Sequence, residues 1–431
     1  MKRIDKATFL ELCRHRTPVE DPETVRIVDR ILHDVRVRGD TAVRAWSERF
    51  DGVRPDPLWV PPDRVADAVQ QMPADVVRAL HTAAAHIREF AMRQRELLRE
   101  AMIELRPGVH TGWRVIPVER VGVYVPGGRY PLPSTVLMTA IPARVAGVRE
   151  IVLCSPPSVQ GDVHPAVLVA AHVAGVDQVF RIGGVQAIGA MAFGTESVPR
   201  VDIIVGPGNR YVVAAKQRVY GYVGIDLPAG PTELMVIADE TAPVRWVAAD
   251  LIAQAEHDTD AVPVVVATSE AWLDALQTEI VRQLADLPTA TVARTSLERH
   301  GIQVRVRTLD DAADCANAMA PEHLEVMVAD PDRLISQLHH YGTLFVGPLS
   351  ATAFGDYSSG LNHTLPTGGC ARFRGGLSVF DFLKVQTVLE VTPQGLSVLT
   401  DPAVRLAEIE GLIGHARSVV YRGDDGRSDA K

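Results

Sequence analysis

The chain has 431 residues, too many for one ordinary core, which points to two larger domains with smaller appendages. With 47% hydrophobic and 23% charged residues it can bury substantial cores, so a disordered or fibrous chain is excluded. The net charge of -9 argues against nucleic acid or an anionic membrane as partner, no apolar run approaches the roughly 20 residues of a membrane span, and Met1-Lys-Arg-Ile-Asp-Lys6 leads into no signal-peptide core; a cytoplasmic protein is expected.

The first 110 or so residues read as helices by period and by cap. Asp21-Pro22-Glu23 opens one through Ile27, Val28, Ile31, Leu32 and Val35, with proline where no N–H is missed. A second begins near Pro62-Asp63, and after Pro73 a long one runs through Val77, Leu80, Ala84, Ile87 and Phe90. From Val121 strands and helices alternate. Val121–Val125, Ile151–Cys154, Gln178–Ile182 and Val201–Val205 are strands, each followed by a turn and a helix, and Ser134 to Val145 is the first of those helices. After Gly230 the alternation resumes with strands Leu234–Ile237, Val262–Val266, Leu324–Val328 and Thr343–Val346. Such alternation implies parallel strands joined by right-handed crossovers. Two α/β units follow, about 120–233 and about 234–350, the first inserted into a domain that includes the N-terminal helices. From about Leu377 the chain has a short β-like piece, Leu389–Thr392, and a helix from Pro402 to about Val420, before a polar end from Arg422 to Lys431.

Several stretches carry chemistry. Asp250-Leu-Ile-Ala-Gln-Ala-Glu-His257 closes a helical pattern, so Gln254 and His257 stand one turn apart and could share a metal ion with ligands brought from elsewhere. Glycine- or proline-rich loops end the strands of the first unit, at Pro126-Gly-Gly128, Gly183-Gly184 and Gly206-Pro-Gly-Asn209, where backbone N–H groups can approach a phosphate. A tight strand-to-helix turn explains those glycines equally well. Adjacent Glu322 and His323, in Ala320-Pro-Glu-His-Leu-Glu325, offer a carboxylate and an imidazole for separate tasks. Phe354-Gly-Asp-Tyr-Ser-Ser-Gly-Leu-Asn-His363 is dense in residues that suit ligand binding. On the terminal helix Glu408 and His415 share a face, whereas Glu410 lies about 140° round from His415. Taken singly, each of these also fits a polar helix end or a solvated corner. Of the four scattered cysteines, Cys13, Cys154, Cys315 and Cys370, none forms a C-x-x-C pair, and Cys154 at the end of an apolar strand reads as core.

Gln254-Ala-Glu-His257, Pro321-Glu-His323, Gly355-Asp-Tyr357, Asn362-His-x-Leu-Pro366 and Glu410-Gly-x-x-x-His415, in that order, resemble the histidinol dehydrogenase family. Val121-Gly-Val-Tyr-Val-Pro-Gly-Gly128, Gly206-Pro-Gly-Asn209 and Ala229-Gly-Pro-Thr-Glu233 extend the resemblance upstream. It implies an enzyme that uses zinc, one ion per subunit, and NAD to oxidise L-histidinol to L-histidine through the aldehyde. Carried over by position, the zinc ligands are Gln254, His257, Asp356 and His415, and the catalytic pair is Glu322 and His323. The substrate would meet those four ligands with Thr232, His323, His363 and Glu410, and the cofactor would meet Tyr124, Gln186 and Asn209. Thr232 stands where the family commonly has serine and keeps the hydroxyl.

The implied fold is α/β, two incomplete Rossmann-like parallel-sheet domains with small helical N-terminal and C-terminal appendages. Its expected parts are residues 1–25 as an appendage, 26–119 with 234–376 as the domain carrying most of the metal site, 120–233 as the cofactor domain, and 377–431 as a tail docked on the partner of a homodimer with shared active sites. Two other readings use the same residues: a related dehydrogenase acting on another polar alcohol, and a zinc hydrolase in which Glu322 activates metal-bound water.

Overall fold

In the computed structural model, described over residues 1–14, 16, 21–127, 130–158, 161–227 and 230–424, the chain is a mixed α/β protein. Gly128 and Ala229 of the motifs, and the polar end beyond 424, lie outside the described residues. The strands in chain order are β1 (Lys2–Asp5), β2 (Ala101–Arg106), β3 (Val109–Pro117), β4 (Arg120–Tyr124), β5 (Glu150–Ser155), β6 (Gln178–Arg181), β7 (Ile203–Val205), β8 (Gly224–Ile225), β9 (Glu233–Ala238), β10 (Val262–Ala267), β11 (Ile302–Arg305), β12 (His323–Met327), β13 (Thr343–Val346) and β14 (Leu383–Val391).

Backbone contacts divide the chain into one unit of Met1–Arg93 with Val118–Phe382 and another of Gln94–Pro117 with Leu383–Lys431. The larger unit holds two parallel sheets. One has the order β6-β5-β4-β7-β8 and the other β1-β11-β10-β9-β12-β13. Numbered from β4 and from β9, both run 3-2-1-4-5, the Rossmann order, with β1 added at one edge of the six-stranded sheet. Of the apolar runs read from the sequence, those in β4, β5, β7, β9, β10 and β12 are inner strands, whereas β6 and β13 lie at sheet edges. In β9, Leu234, Val236 and Ala238 join the core under the Val244–Ala255 helix, while Met235 and Ile237 join the opposite core with Ala312, Ala313 and Ala316.

Three placements differ from the sequence reading. Residues 2–5 are no appendage, since β1 pairs in parallel with β11. Helices Pro22–Arg38 and Asp40–Asp51 were grouped with the six-stranded sheet, but Val28, Ile31, Leu32, Val35, Val43 and Trp46 pack in one core with Val152 and Phe180 of the five-stranded sheet. The N-terminal region is also not all helix: β2 and β3 pair antiparallel, and β14, read as a four-residue piece, pairs with β3 along nine residues. That long-range pairing joins residues 94–117 to the C-terminal segment and moves the boundary expected at 377 to Leu383.

In the smaller unit the single terminal helix read from the sequence is two, Pro393–Ile409 and Ile413–Asp424. Glu410 caps the first, and Gly411 turns the chain at φ +72°. The helical-wheel relation between Glu408, Glu410 and His415 therefore does not hold, because a helical turn is broken between them. Glu410 and His415 are both exposed.

Candidate active site

The titratable residues gather where β9 and β12 begin, at the amino edge of the six-stranded sheet. His323 is the first residue of β12 and Glu233 the first of β9, and the two strands pair with His323 opposite Leu234. The Leu309–Met319 helix leads into this edge through Ala320, whose φ of +50° is the one positive value at a non-glycine residue among those described. A left-handed alanine costs roughly 1–2 kcal/mol, held here by the packing around a short helix-to-strand turn. Glu322 lies just before the strand and escapes the strand's alternation. It and His323 can thus serve one site, although adjacent strand residues would face opposite ways.

Hydrogen bonds hold the two side chains in place. Glu322 Oε2 accepts from Thr232 Oγ1 at 2.6 Å and from the Glu233 N–H at 2.8 Å. Thr232 Oγ1 in turn accepts from Gln254 Nε2, which leaves the amide oxygen of Gln254 free to meet a cation. His323 Nδ1 donates to the Glu233 carbonyl at 3.0 Å and stands 3.5 Å from Glu322 Oε2. A carbonyl only accepts, so Nδ1 carries the hydrogen and Nε2 is the atom available to take a proton. That Nε2 is buried without a hydrogen-bond partner among the described residues, 3.7 Å from Asp356 Oδ1. Burial disfavours charge on His323, yet the carboxylates of Glu322 and Asp356 outweigh it and hold the imidazole well above its usual range. For Asp356, burial is again opposed, and His323, His363 and His257 together hold it below the usual carboxylate range.

Asp356 lies in the last turn of the Thr352–Tyr357 helix, and the loop after that helix reaches the other sheet. His363 Nδ1 donates to the Asp356 carbonyl at 3.0 Å, and its Nε2 accepts from Thr135 Oγ1 at 3.2 Å. Burial keeps this imidazole below its usual pKa and thus neutral. Asn362 Nδ2 donates to the Met138 carbonyl at 2.7 Å. Thr135 and Met138 belong to the Pro133–Ala146 helix that follows β4, so the amino edge of the six-stranded sheet meets the carboxyl edge of the five-stranded one.

At that carboxyl edge β4 and β7 are neighbours from which the chain winds in opposite directions, the switch point where open α/β sheets bind ligands. Tyr124 ends β4, and its hydroxyl accepts from the Gly184 N–H at 3.0 Å. Gln186 is 1% exposed, and neither its amide nitrogen nor its oxygen has a partner among the described residues. Buried amides left unpaired are costly, so this one is ready for a ligand. Asn209 caps the Arg210–Val219 helix, accepting from the N–H groups of Tyr211 at 3.0 Å and Val212 at 3.2 Å, which leaves its amino group for any ligand. Gly206 has φ +118°, and a Cβ there would stand 2.1 Å from the Tyr124 carbonyl oxygen. No other residue fits.

Four supporting residues, Glu233, Arg16, Lys216 and Asp226, were given no role in the sequence reading. Glu233, 3% exposed, pairs with Arg16, accepts from the Gly368 N–H at 2.9 Å, and holds Glu322 and His323 through its own peptide. Burial pushes its carboxyl up to about 7. Lys216 and Asp226, each 2% exposed, form an ion pair under the Gly206 loop. Lys216 Nζ donates to the Gly206 carbonyl at 2.8 Å, and Asp226 Oδ2 accepts from the Gly206 N–H at 2.7 Å. The scarcity of lysine was the available signal: a chain with five lysines keeps one of them wholly inside. Cys154 is buried in the core with Val152 and Phe180, and burial pushes its thiol far above the range of a nucleophile.

The histidinol dehydrogenase family model matches residues 14–423. The chain belongs to the histidinol dehydrogenase family. It is an oxidoreductase of histidine biosynthesis by that membership. It is 48% identical over 417 residues to the histidinol dehydrogenase of Parasynechococcus marenigrum, covering 97% of this chain and 95% of that one. With the Thermus thermophilus relative it shares 48% identity over 403 residues, 93% of this chain and 95% of the other. The crystal structure of histidinol dehydrogenase from Elizabethkingia anophelis superposes with a TM-score of 0.93 at 34% identity, covering 99% of this chain and 98% of that one.

Proposed function

We propose that this protein carries out the zinc- and NAD-dependent four-electron oxidation of L-histidinol to L-histidine through L-histidinal, in the cytoplasm, as a homodimer with shared active sites. The observation that carries the reading is the Glu322–His323 pair bound to the backbone N–H and carbonyl of one residue, Glu233, with His323 Nε2 buried and without a partner among the described residues beside Asp356. An alcohol releases hydride only as its O–H proton leaves, and Nε2 is placed to receive that proton. Asp356 is one of two carboxylates that hold the His323 pKa up, so a cation on Asp356 brings the imidazole back toward the range in which it can accept. The aldehyde must add water before a second hydride can leave. Glu322, oriented by Thr232 and the Glu233 N–H, polarises that water, and His323 again takes the proton.

The donor chemistry fits zinc. Gln254 presents a free amide oxygen, Asp356 is held ionised, and His257 lies exposed at the end of the same helix as Gln254. Among the described residues no three His, Cys, Asp or Glu side chains group to hold a metal ion; the proposed set includes an amide and takes His415 from another copy. Zinc held there supplies a template for the amine and imidazole of the substrate and polarises the reacting oxygen. Thr232, His323, His363 and Glu410 complete the substrate contacts. Tyr124, Gln186 and Asn209 would hold NAD, which would supply the hydride acceptor for each half-reaction, and the unpaired side-chain amide of Gln186 suits such a ligand. The exposed apolar side chains Leu105, Leu389, Leu406, Ile409, Leu412 and Ile413 of the smaller unit form surface that a second copy would cover. Among the described residues no helix is long and apolar enough to cross a membrane.

The test is the NADH formed per histidinol consumed, in zinc-loaded and chelated protein. Two per histidinol, lost on chelation, is expected. A stoichiometry of one sinks the four-electron reading.

A further inference from the structure

Dinucleotide-binding sheets in the 3-2-1-4-5 order usually carry an acid at the end of the second strand, where it accepts hydrogen bonds from ribose hydroxyls. Here that strand is β5, and it runs out as Cys154-Ser155-Pro156-Pro157 without one. The next acid, Asp162, is engaged by Arg64 at 3.1 Å and lies 3.8 Å from Arg181. A carboxylate nevertheless reaches this rim from another part of the chain. Asp51 ends the Asp40–Asp51 helix, which is anchored through Val43 and Trp46 in the core that contains Tyr124 and Cys154. The chain then crosses the carboxyl edge. Val53 Cγ1 lies 3.6 Å from the Cβ position of Gly161 in the loop after β5, the Arg181 N–H donates to the Leu58 carbonyl at 2.9 Å, and the Val60 N–H donates to the Val179 carbonyl at 2.7 Å. Residues 58–60 thus run antiparallel along β6, and residues 51–57 precede them beyond its carboxyl end.

Asp51 Oδ2 is buried and has no hydrogen-bond partner among the described residues. Its charge is felt at the Tyr124 hydroxyl, and burial pushes the carboxyl up to about 6. A carboxylate oxygen buried without a partner costs stability and calls for a donor, and none is present among the described residues. We infer that Asp51 accepts hydrogen bonds from the vicinal hydroxyls of the adenosine ribose of the dinucleotide, replacing the acid missing from β5. This rests on the dinucleotide reading above. It also assigns a cofactor role to an N-terminal helix that the strand pattern does not include.

The experiment measures binding of 5′-AMP and 2′,3′-dideoxy-AMP by calorimetry and of NADH by its fluorescence, with melting temperatures, for the wild-type chain and Asp51→Asn. In wild type, AMP should bind roughly 10- to 100-fold more tightly than the dideoxy analogue. Asp51→Asn should weaken AMP and NADH by a similar factor, leave the dideoxy analogue unchanged, and melt no lower than wild type, because an unpaired buried charge has gone. Equal affinity of wild type for the two nucleotides, or unchanged AMP and NADH binding in Asp51→Asn, overturns the assignment while the dinucleotide reading stands. Failure of wild type to bind NADH at all overturns that reading and, with it, this one.

Discussion

In the five-stranded sheet Tyr124, the Gly183–Gly184 turn and the Gly206 loop stand at the carboxyl ends of β4, β6 and β7, whereas in the six-stranded sheet Thr232, Glu233, Glu322 and His323 stand where β9 and β12 begin. Strand order is the same in both, so order alone does not decide which edge carries function. The carboxyl edge works through backbone, with Gly206 pressed on the Tyr124 carbonyl and held from beneath by Lys216 and Asp226. The amino edge presents side chains, and Glu233 holds both members of the proposed catalytic pair through its N–H and its carbonyl. At the second sheet's own switch point Asp239 bridges the loops after β9 and β12, accepting from the Ala329 N–H at 2.8 Å and the Thr241 N–H at 2.9 Å.

The sharpest way to break this division is at the amino edge. His323→Asn should slow oxidation of both alcohol and aldehyde by roughly 100- to 10,000-fold, as one proton acceptor serves each half. Glu322→Gln should impair the aldehyde step far more than the alcohol step. Feeding each variant the two substrates separately checks this, and equal losses for Glu322→Gln would remove its water-activating role.

A second test asks whether the two edges differ in completeness. The carboxyl edge is built within one chain, but the proposed metal set at the amino edge needs His415 from a partner. His257→Ala and His415→Ala should each be nearly inactive, and mixing them after verified subunit exchange should restore roughly a quarter of wild-type activity, since about half the dimers then hold one intact site of two. No recovery would mean that each tail serves its own chain.

At the carboxyl edge the expected effect falls first on stability. Lys216→Met leaves Asp226 charged and unpaired in the core and should cost about 3–5 kcal/mol in urea unfolding. The double change Lys216→Met with Asp226→Leu should regain most of that stability while the KM for NAD stays raised, because the Gly206 loop has lost both its supports. A double variant with wild-type KM would show that the ion pair does not shape the loop. The smallest effect belongs to Cys154→Ala, which should lose on the order of 1 kcal/mol of stability and no turnover. A tenfold loss of aldehyde oxidation in a stably folded Cys154→Ala would move the chemistry to the five-stranded sheet and end the comparison as drawn.

Local signals determined a good part of the protein. Apolar runs such as Leu234–Ile237 and Val262–Val266, covered on both faces except at the half-buried Val262, are central strands, and Asp21 before Pro22 fixed a helix start by capping. Gln254, Glu322, His323 and the loop that carries Asp356 and His363 stood out because doublets of titratable residues and glycine-rich turns are short-range features, whereas Thr232 came only with the family resemblance. What depended on tertiary structure was where those features meet. Pairing of β14 with β3 across more than 260 positions remade the boundaries, and Gly411 broke a helix that periodicity alone carried through. The burial of Lys216 with Asp226, the reach of Arg16 to Glu233, and the choice of the amino edge of one sheet and the carboxyl edge of the other were likewise set by long-range packing. Periodicity reports which face of an element is covered; it holds no record of which distant element covers it, and a site built at the meeting of two sheets is defined by that second quantity.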